Sequence, residues 1–264
     1  MTKLTLIKLG GSVITDKTKF YTPRPETIKN LAHEIRLAWN KGYRFVIAHG
    51  SGSFGHTSAA KYRTAEGLKN EESVYGLAIV QQDAITINRI VNKIFLKEEL
   101  PVLSFVPSSF SFSRSKKLRQ IFTWPIIEAL KINALPLVFG DIILDDKIGC
   151  CIFSGEKTLD NLLCPLKKAG FEIDRVIQAG STNGVYDSEG QTIPKITLKG
   201  FSQIKKMIQT TKTIDVTGGM LHKIEESLVM AEQGIESLII NGEVKGNLFK
   251  AIQGKNPSGT LIVN

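Results

Sequence analysis

The 264-residue chain is 42% hydrophobic and carries a net charge of +9, a composition that supports one extended core or two lobes sharing a sheet. No apolar run reaches the roughly 18–20 residues of a membrane span, and Met1-Thr2-Lys3-Leu4 lacks the regions of a secretory leader, so a cytoplasmic location is expected. The basic balance favours anionic partners, which include nucleic acids, anionic lipids and phosphorylated metabolites, and no DNA- or RNA-binding motif accompanies the scattered lysines.

Leu4 to Leu9 reads as a short buried strand, broken by Gly10-Gly11-Ser12. A helix begins at Pro23 to Pro25, repeats Ile28, Leu31, Ala32 and Ile35 at helical spacing, and ends at Gly42. Phe45 to Ala48 is the next strand. Strand, helix, strand is a βαβ unit, which implies a parallel sheet with a right-handed crossover. A long helix is expected from about Glu71 to Lys97, with Val74, Ala78, Ile85 and Ile94 on its apolar side. Pro101 to Val106 reads as a strand, and the dense basic stretch Arg114 to Arg119 as a solvated loop, with a lid or anion-attracting patch as the alternative. Trp124 to Leu130 fits a short helix, Pro136 to Gly140 a strand, and Ile142 to Phe153 a hairpin around Asp145-Asp146-Lys147. Asp174 to Gln178 and Ser237 to Ile240 give later strands, with a helix from about Gly219 to Gln233 between them, and Leu261 to Val263 closes the sheet. No repeat or low-complexity linker divides the chain. The expected fold is α/β, a three-layer αβα sandwich around a central, mainly parallel sheet, forming one domain over residues 1–264. Cys150, Cys151 and Cys164 are odd in number and lack Cys-x-x-Cys spacing, so neither a disulfide framework nor a zinc site is expected.

Two strand-to-helix loops are rich in glycine: Gly10-Gly11-Ser12, and Gly50-Ser51-Gly52-Ser53-Phe54-Gly55-His56. In open parallel sheets such loops collect at the carboxyl ends of the strands, where ligands bind. Glycine lets backbone N–H groups turn toward an anion without a Cβ in the way. Neither loop is a Walker loop, and neither matches the dinucleotide-binding glycine pattern. Charge accompanies them. Lys8 interrupts the apolar run Leu6-Ile7-Lys8-Leu9, where burial is costly unless an anion or carboxylate faces it. Lys17 follows the first loop, and Thr217-Gly218-Gly219-Met220-Leu221-His222-Lys223 opens a helix whose first turns attract phosphate. Three lysines and two glycine loops suit phosphoryl transfer, in which catalysis is mostly positioning and charge stabilisation, usually with Mg2+.

Together these segments resemble the amino acid kinase superfamily over nearly the whole chain. Lys8-Leu9-Gly10-Gly11-Ser12 resembles its opening motif. His49 to His56 is similar to the loop of the isopentenyl phosphate kinase family, in which the last histidine contacts the acceptor phosphate. Gly140-Asp141, Phe153-Ser154-Gly155, Asn183 to Asp187, Thr217 to Lys223 and Gly259-Thr260 follow in the family's order. A histidine at the place of His56 is shared with the related fosfomycin kinase and is absent from acetylglutamate and UMP kinases. The chain departs from the family pattern at Glu156, where Asp is usual, and at Gly180-Ser181, where Thr-Asp is usual.

The resemblance implies ATP-dependent phosphorylation of isopentenyl phosphate with Mg2+, by a homodimer whose residues to about 170 hold the acceptor and whose remainder holds the nucleotide. It assigns the acceptor phosphate to His56, Gly52, Ser53 and Gly55, with Gly10, Gly11 and Gly155 beside it. Lys8 and Lys17 bridge to the transferring group, Lys223 meets the ATP phosphates, Glu156 orients the lysines, and Asp141 supports them or contacts metal-bound water. Ser12, Gly180, Tyr186, Gly218 and Gly219 join Lys8, Gly10 and Lys223 as nucleotide contacts. Tyr75, Ile79, Ile143 and Ile152 are candidates for an apolar tail pocket, and His49 and His222 are expected to be structural. Two alternatives stand beside this reading: a kinase of another phosphate or phosphonate such as fosfomycin, and a non-catalytic nucleotide-binding regulator with the same fold.

Overall fold

The computed structural model describes residues 3–210, 218–255 and 257–264. The chain opens with β1 (Lys3–Leu9), the single turn α1 (Gly11–Ile14), α2 (Pro25–Trp39) and β2 (Arg44–His49). Pro25 stands at the first position of α2, where its missing N–H has no helical partner to lose. The two strands are buried on both faces: Leu4, Leu6, Val46 and Ala48 belong to one apolar layer, Ile7, Leu9, Phe45 and Ile47 to the other.

The helices α3 (Gly52–Lys61) and α4 (Glu71–Lys97) follow. The start of α4 is fixed by a reciprocal cap, in which Ser73 N donates to the Asn70 side chain and Asn70 N donates to the Ser73 hydroxyl, both at 2.9 Å. Its limits are those read from the sequence, but its inner face is not. Val80, Ala84, Ile87, Val91 and Phe95 are buried, whereas Val74 is 53% exposed, Ala78 is exposed, and Ile85 and Ile94 lie on the flanks. Gly76 sets this rotation, because its missing side chain lets α4 press on the Tyr62 ring.

Next come β3 (Val102–Ser104), shorter than expected because Pro107 starts a 3-10 turn, then β4 (Ser111–Arg114) and β5 (Lys117–Ile121). The basic stretch is therefore a hairpin and not a loop. Ser115 and Lys116 turn it with φ of 51° and 64°. The buried Asp145 carboxylate holds that turn, accepting from Ser115 N at 3.0 Å and Lys116 N at 2.7 Å. The chain continues through α5 (Trp124–Lys131), β6 (Leu135–Phe139), β7 (Asp141–Asp145), β8 (Gly149–Phe153), α6 (Gly155–Lys168) and β9 (Glu172–Gly180). It ends with β10 (Lys195–Thr197), α7 (Phe201–Thr210), α8 (Gly218–Glu232), β11 (Ser237–Asn241), α9 (Asn247–Ile252) and β12 (Gly259–Val263).

The main sheet has the order β10-β12-β11-β9-β1-β2-β6-β3 and is parallel except between β11 and β12. Helices α1, α2, α4 and α9 cover one face, and α5, α6 and α8 the other. This is the αβα sandwich expected from the sequence. The hairpin anticipated around Asp145 belongs to a second sheet, β5-β4-β7-β8, which packs Ile142 and Cys150 onto Val80 of α4. Among the described residues no helix is long and apolar enough to cross a membrane.

Candidate active site

Strands β1, β2 and β6 are neighbours in the sheet, and the segments leaving their carboxyl ends border a cavity of about 290 Å³. The two glycine loops meet there, main chain against main chain. A Cβ on Gly11 would lie 2.7 Å from Gly52 Cα, and one on Gly10 2.9 Å from Ala179 O. Gly52 has φ of +53°, and a side chain there would run into Thr15 Oγ1. Thr15 stitches the loops: its hydroxyl donates to Gly11 O at 2.7 Å and accepts from Ser53 N at 2.9 Å.

Alternation along β1 explains Lys8. It points to the same side as Leu4 and Leu6, toward α6, where Glu156 stands in the first helical turn. The two form an ion pair with side chains 8% and 14% exposed. Burial alone would push the Glu156 carboxyl up. The Lys8 ammonium and its hydrogen bond reverse this and bring the pKa down to about 2, with Lys223 adding to the effect. Lys223 reaches the cavity from α8, its Nζ 3.8 Å from the point where a Gly180 side chain would begin. Lys17 enters from the strap 16–22, which is anchored where Tyr21 donates to Asp83 at 3.0 Å and meets Phe54 edge-on at 5.5 Å.

His56, in the first turns of α3, stands at the cavity mouth. The surrounding protein, then Lys17 and Lys8, hold its imidazole below the ordinary pKa, against the opposing pull of Glu156. Asp141 is buried at the cavity wall, accepting from Ser108 N at 2.9 Å and from Ile142 N at 2.8 Å. Burial raises its pKa and these bonds oppose the rise.

Of the residues singled out in the sequence, the cavity gathers Lys8, Gly10, Gly11, Ser12, Lys17, Gly52, Gly55, His56, Asp141, Ile152, Gly155, Glu156 and Lys223. Ser53 lies behind the wall, where its hydroxyl accepts from Thr22 N at 3.2 Å. Tyr75 does not reach the cavity: it is 62% exposed, off the stripe of Gly76, Val80 and Ala84, and its ring leans on Tyr62. Ile79 lies beside that stripe, and Ile143 is sealed in the small sheet with Cys151 and Phe153. The apolar end is lined instead by Ala59, Val80, Ala84 and Ile152. Tyr186 stands away from the cavity, its hydroxyl accepting from Asn183 N at 3.0 Å. Gly180 borders Lys223, and Gly218 and Gly219 start α8, while Thr217 and the His222 side chain fall outside the described residues.

Sequence reasoning did not single out Glu226, one turn beyond Lys223 on α8 and outside the cavity lining. Its carboxyl is raised to about 7, first by burial and then by the Glu156 and Asp160 charges, with Lys157 and Lys8 opposing. Its place three residues after Lys223 was the available clue, since such pairs share a helix face. Among the described residues no three His, Cys, Asp or Glu side chains cluster as metal ligands.

The sequence profile of the Amino acid kinase family matches residues 3–241. The isopentenyl phosphate kinase of Methanothermobacter thermautotrophicus is 32% identical, over 97% of this chain and 98% of its own length. That of Methanocaldococcus jannaschii is 31% identical over 96% of each. An X-ray structure of isopentenyl phosphate kinase superposes with a TM-score of 0.82 at 29% identity, over 98% of this chain and 100% of that one.

Proposed function

We infer that this chain, which belongs to the amino acid kinase family, transfers the terminal phosphoryl group of ATP to isopentenyl phosphate, giving isopentenyl diphosphate. The observation that carries the reading is a single cavity with an anion seat and an apolar end. His56 and the glycine-loop backbone border the first, and Ala59, Val80, Ala84 and Ile152 the second. Relatives named isopentenyl phosphate kinase, similar over nearly their full length, support it.

In this reading the acceptor phosphate rests on the main chain of Gly52 to Gly55. His56 donates one N–H to it, as a neutral imidazole can. The acceptor oxygen is already anionic, so no side chain has to remove a proton. Lys8, fixed by Glu156, lines the cavity that Lys17 and Lys223 also reach. Charge developing on the transferring group is stabilised by these ammoniums, and alignment supplies most of the rest. Mg2+ bound with the nucleotide would neutralise phosphate charge, and Asp141 is the wall carboxylate closest in kind to a ligand for its hydration shell. The reading treats the chain as one domain, in which residues to about 170 hold the acceptor and the remainder holds ATP through Gly180, Gly218, Gly219 and Lys223, with Ser12 lining the cavity beside them. A cytoplasmic homodimer completes it, and sedimentation velocity tests the dimer.

Coupled ADP release with MgATP provides the test, using isopentenyl phosphate, dimethylallyl phosphate, geranyl phosphate, fosfomycin, UMP and N-acetylglutamate. Turnover is expected on the prenyl phosphates, and His56→Ala is expected to lower kcat/KM for them by about a hundredfold, the scale of a lost bond to a charged group. Turnover on UMP, N-acetylglutamate or fosfomycin without the prenyl phosphates would refute the substrate. Full activity of His56→Ala would refute the role of the histidine.

A further inference from the structure

His49 and Asn88 stand outside the groups just assigned to the substrates. His49 ends β2 and is fully buried, and its ring stacks on Phe139 with centroids 5.5 Å apart. Its Nδ1 is 2.9 Å from the Gly50 carbonyl oxygen, and its Nε2 is 3.1 Å from Nδ2 of Asn88. A carbonyl only accepts, so Nδ1 carries the hydrogen. Nε2 is then an acceptor, and the Asn88 amide must donate to it. Burial, with Lys8 adding and the Gly50 bond opposing, lowers the imidazole pKa to about 4, so the ring is neutral near pH 7. Asn88 is itself buried, one turn beyond Ala84 and two beyond Val80 on α4.

The consequence lies in the loop. In a trans peptide the carbonyl and the following N–H point in opposite directions. The bond to Gly50 O therefore sets the direction of the Ser51 N–H, and Gly50, Ser51 and Gly52 all border the cavity. With no side chain at Gly50, this peptide would otherwise turn easily. An apolar pair of the same shape would fill the space between strand and helix without two buried polar groups to satisfy. The polar pair does what an apolar one cannot: it aims a peptide plane.

We propose that His49 and Asn88 are positioning residues for the acceptor, a relay that fixes the Gly50–Ser51 peptide so that the loop amides face the acceptor phosphate. The relay also fastens that phosphate seat to the helix whose Val80 and Ala84 line the apolar end. The proposal rests on the acceptor reading above.

Two substitutions separate the two bonds. His49→Asn puts an amide N–H near Nδ1, so the hold on Gly50 survives and the link to Asn88 is lost. His49→Gln puts an amide oxygen near Nε2, so the link to Asn88 survives and the hold on Gly50 is lost. Asn88→Leu, of similar shape, is the third variant, leaving the imidazole free to shift its proton to Nε2. Expected for His49→Gln is a KM for isopentenyl phosphate raised about tenfold, with KM for MgATP within about twofold of the parent. His49→Asn should stay close to the parent, and Asn88→Leu should fall between. A merely structural pair would instead lower the melting temperatures and leave the two KM values moving together.

An independent readout needs no turnover. In 15N-labelled protein titrated with inorganic phosphate, the Ser51 amide resonance should shift in the parent and in His49→Asn, and stay still in folded His49→Gln. A folded His49→Gln with an unchanged acceptor KM, or a Ser51 shift equal to that of the parent, would overturn the relay. Absence of turnover on isopentenyl phosphate in the parent would count against the substrate alone, because the phosphate titration would still decide the relay.

Discussion

Replacing Glu156 by Gln strands the Lys8 ammonium in a place where its side chain is only 8% exposed. The magnitude follows from the carboxyl itself. A fall from 4.5 to about 2 is worth about 3 kcal/mol at about 1.36 kcal/mol per pH unit, in line with the cost of breaking a buried pair. Glu156→Leu and Lys8→Met should each lose about 3 kcal/mol of unfolding free energy in urea at pH 7, as should Glu156→Gln, whereas Lys8→Met with Glu156→Leu should lose well under the sum of its two single losses. The sign with pH is definite. The folded-state pKa lies below the unfolded one, so the stabilisation is complete above about pH 4.5 and fades as pH falls toward 2. The gap between parent and Glu156→Gln should therefore close in acid. Strict additivity of the two single losses, or a gap indifferent to pH, would refute the argument.

Gly52→Ala forces a side chain into φ of +53° and toward Gly11 O at 2.7 Å, so it should cost about 1–3 kcal/mol by thermal or urea unfolding and raise the acceptor KM. Val80→Phe fills the apolar end of the cavity. It should raise KM for isopentenyl phosphate and leave binding of inorganic phosphate, measured by calorimetry, unchanged. Glu226 behaves oppositely to Glu156: its folded value near 7 lies above the unfolded 4.5, so the penalty is absent below about pH 4.5 and full above about pH 7. The melting temperature of Glu226→Gln should therefore gain on that of the parent as pH rises from 4.5 to 8, and an unchanged difference would refute the assignment.

Strands β1 and β2 were legible because continuous apolar runs ending in glycine have few other uses in a chain of this size. The lysine-lined part of the cavity was legible for a related reason, since a lysine inside such a run has to be answered by an opposite charge, and Glu156 answers Lys8. The tail end was not. Helix α4 carries apolar residues nearly all round, so periodicity alone does not tell Val74 from Val80. The choice is made by Tyr62 pressing on Gly76 and by Ile142 and Cys150 packing on Val80. The basic hairpin escaped because its organising group, Asp145, is 30 residues from Ser115. Glu226 looked like any helical surface acid, since what shifts it is burial in the fold and then the charges of Glu156 and Asp160 on another helix.

The contact of one glycine loop with the other, backbone on backbone, has a meaning for descent. At that end nothing can be exchanged, because no larger residue fits between Gly11 and Gly52. At the other end the side chains that line the cavity come from α3, α4 and the small sheet. A lineage can therefore trade one organic phosphate for another by swapping a few apolar side chains along a helix that itself stays put, and inherit the chemistry untouched.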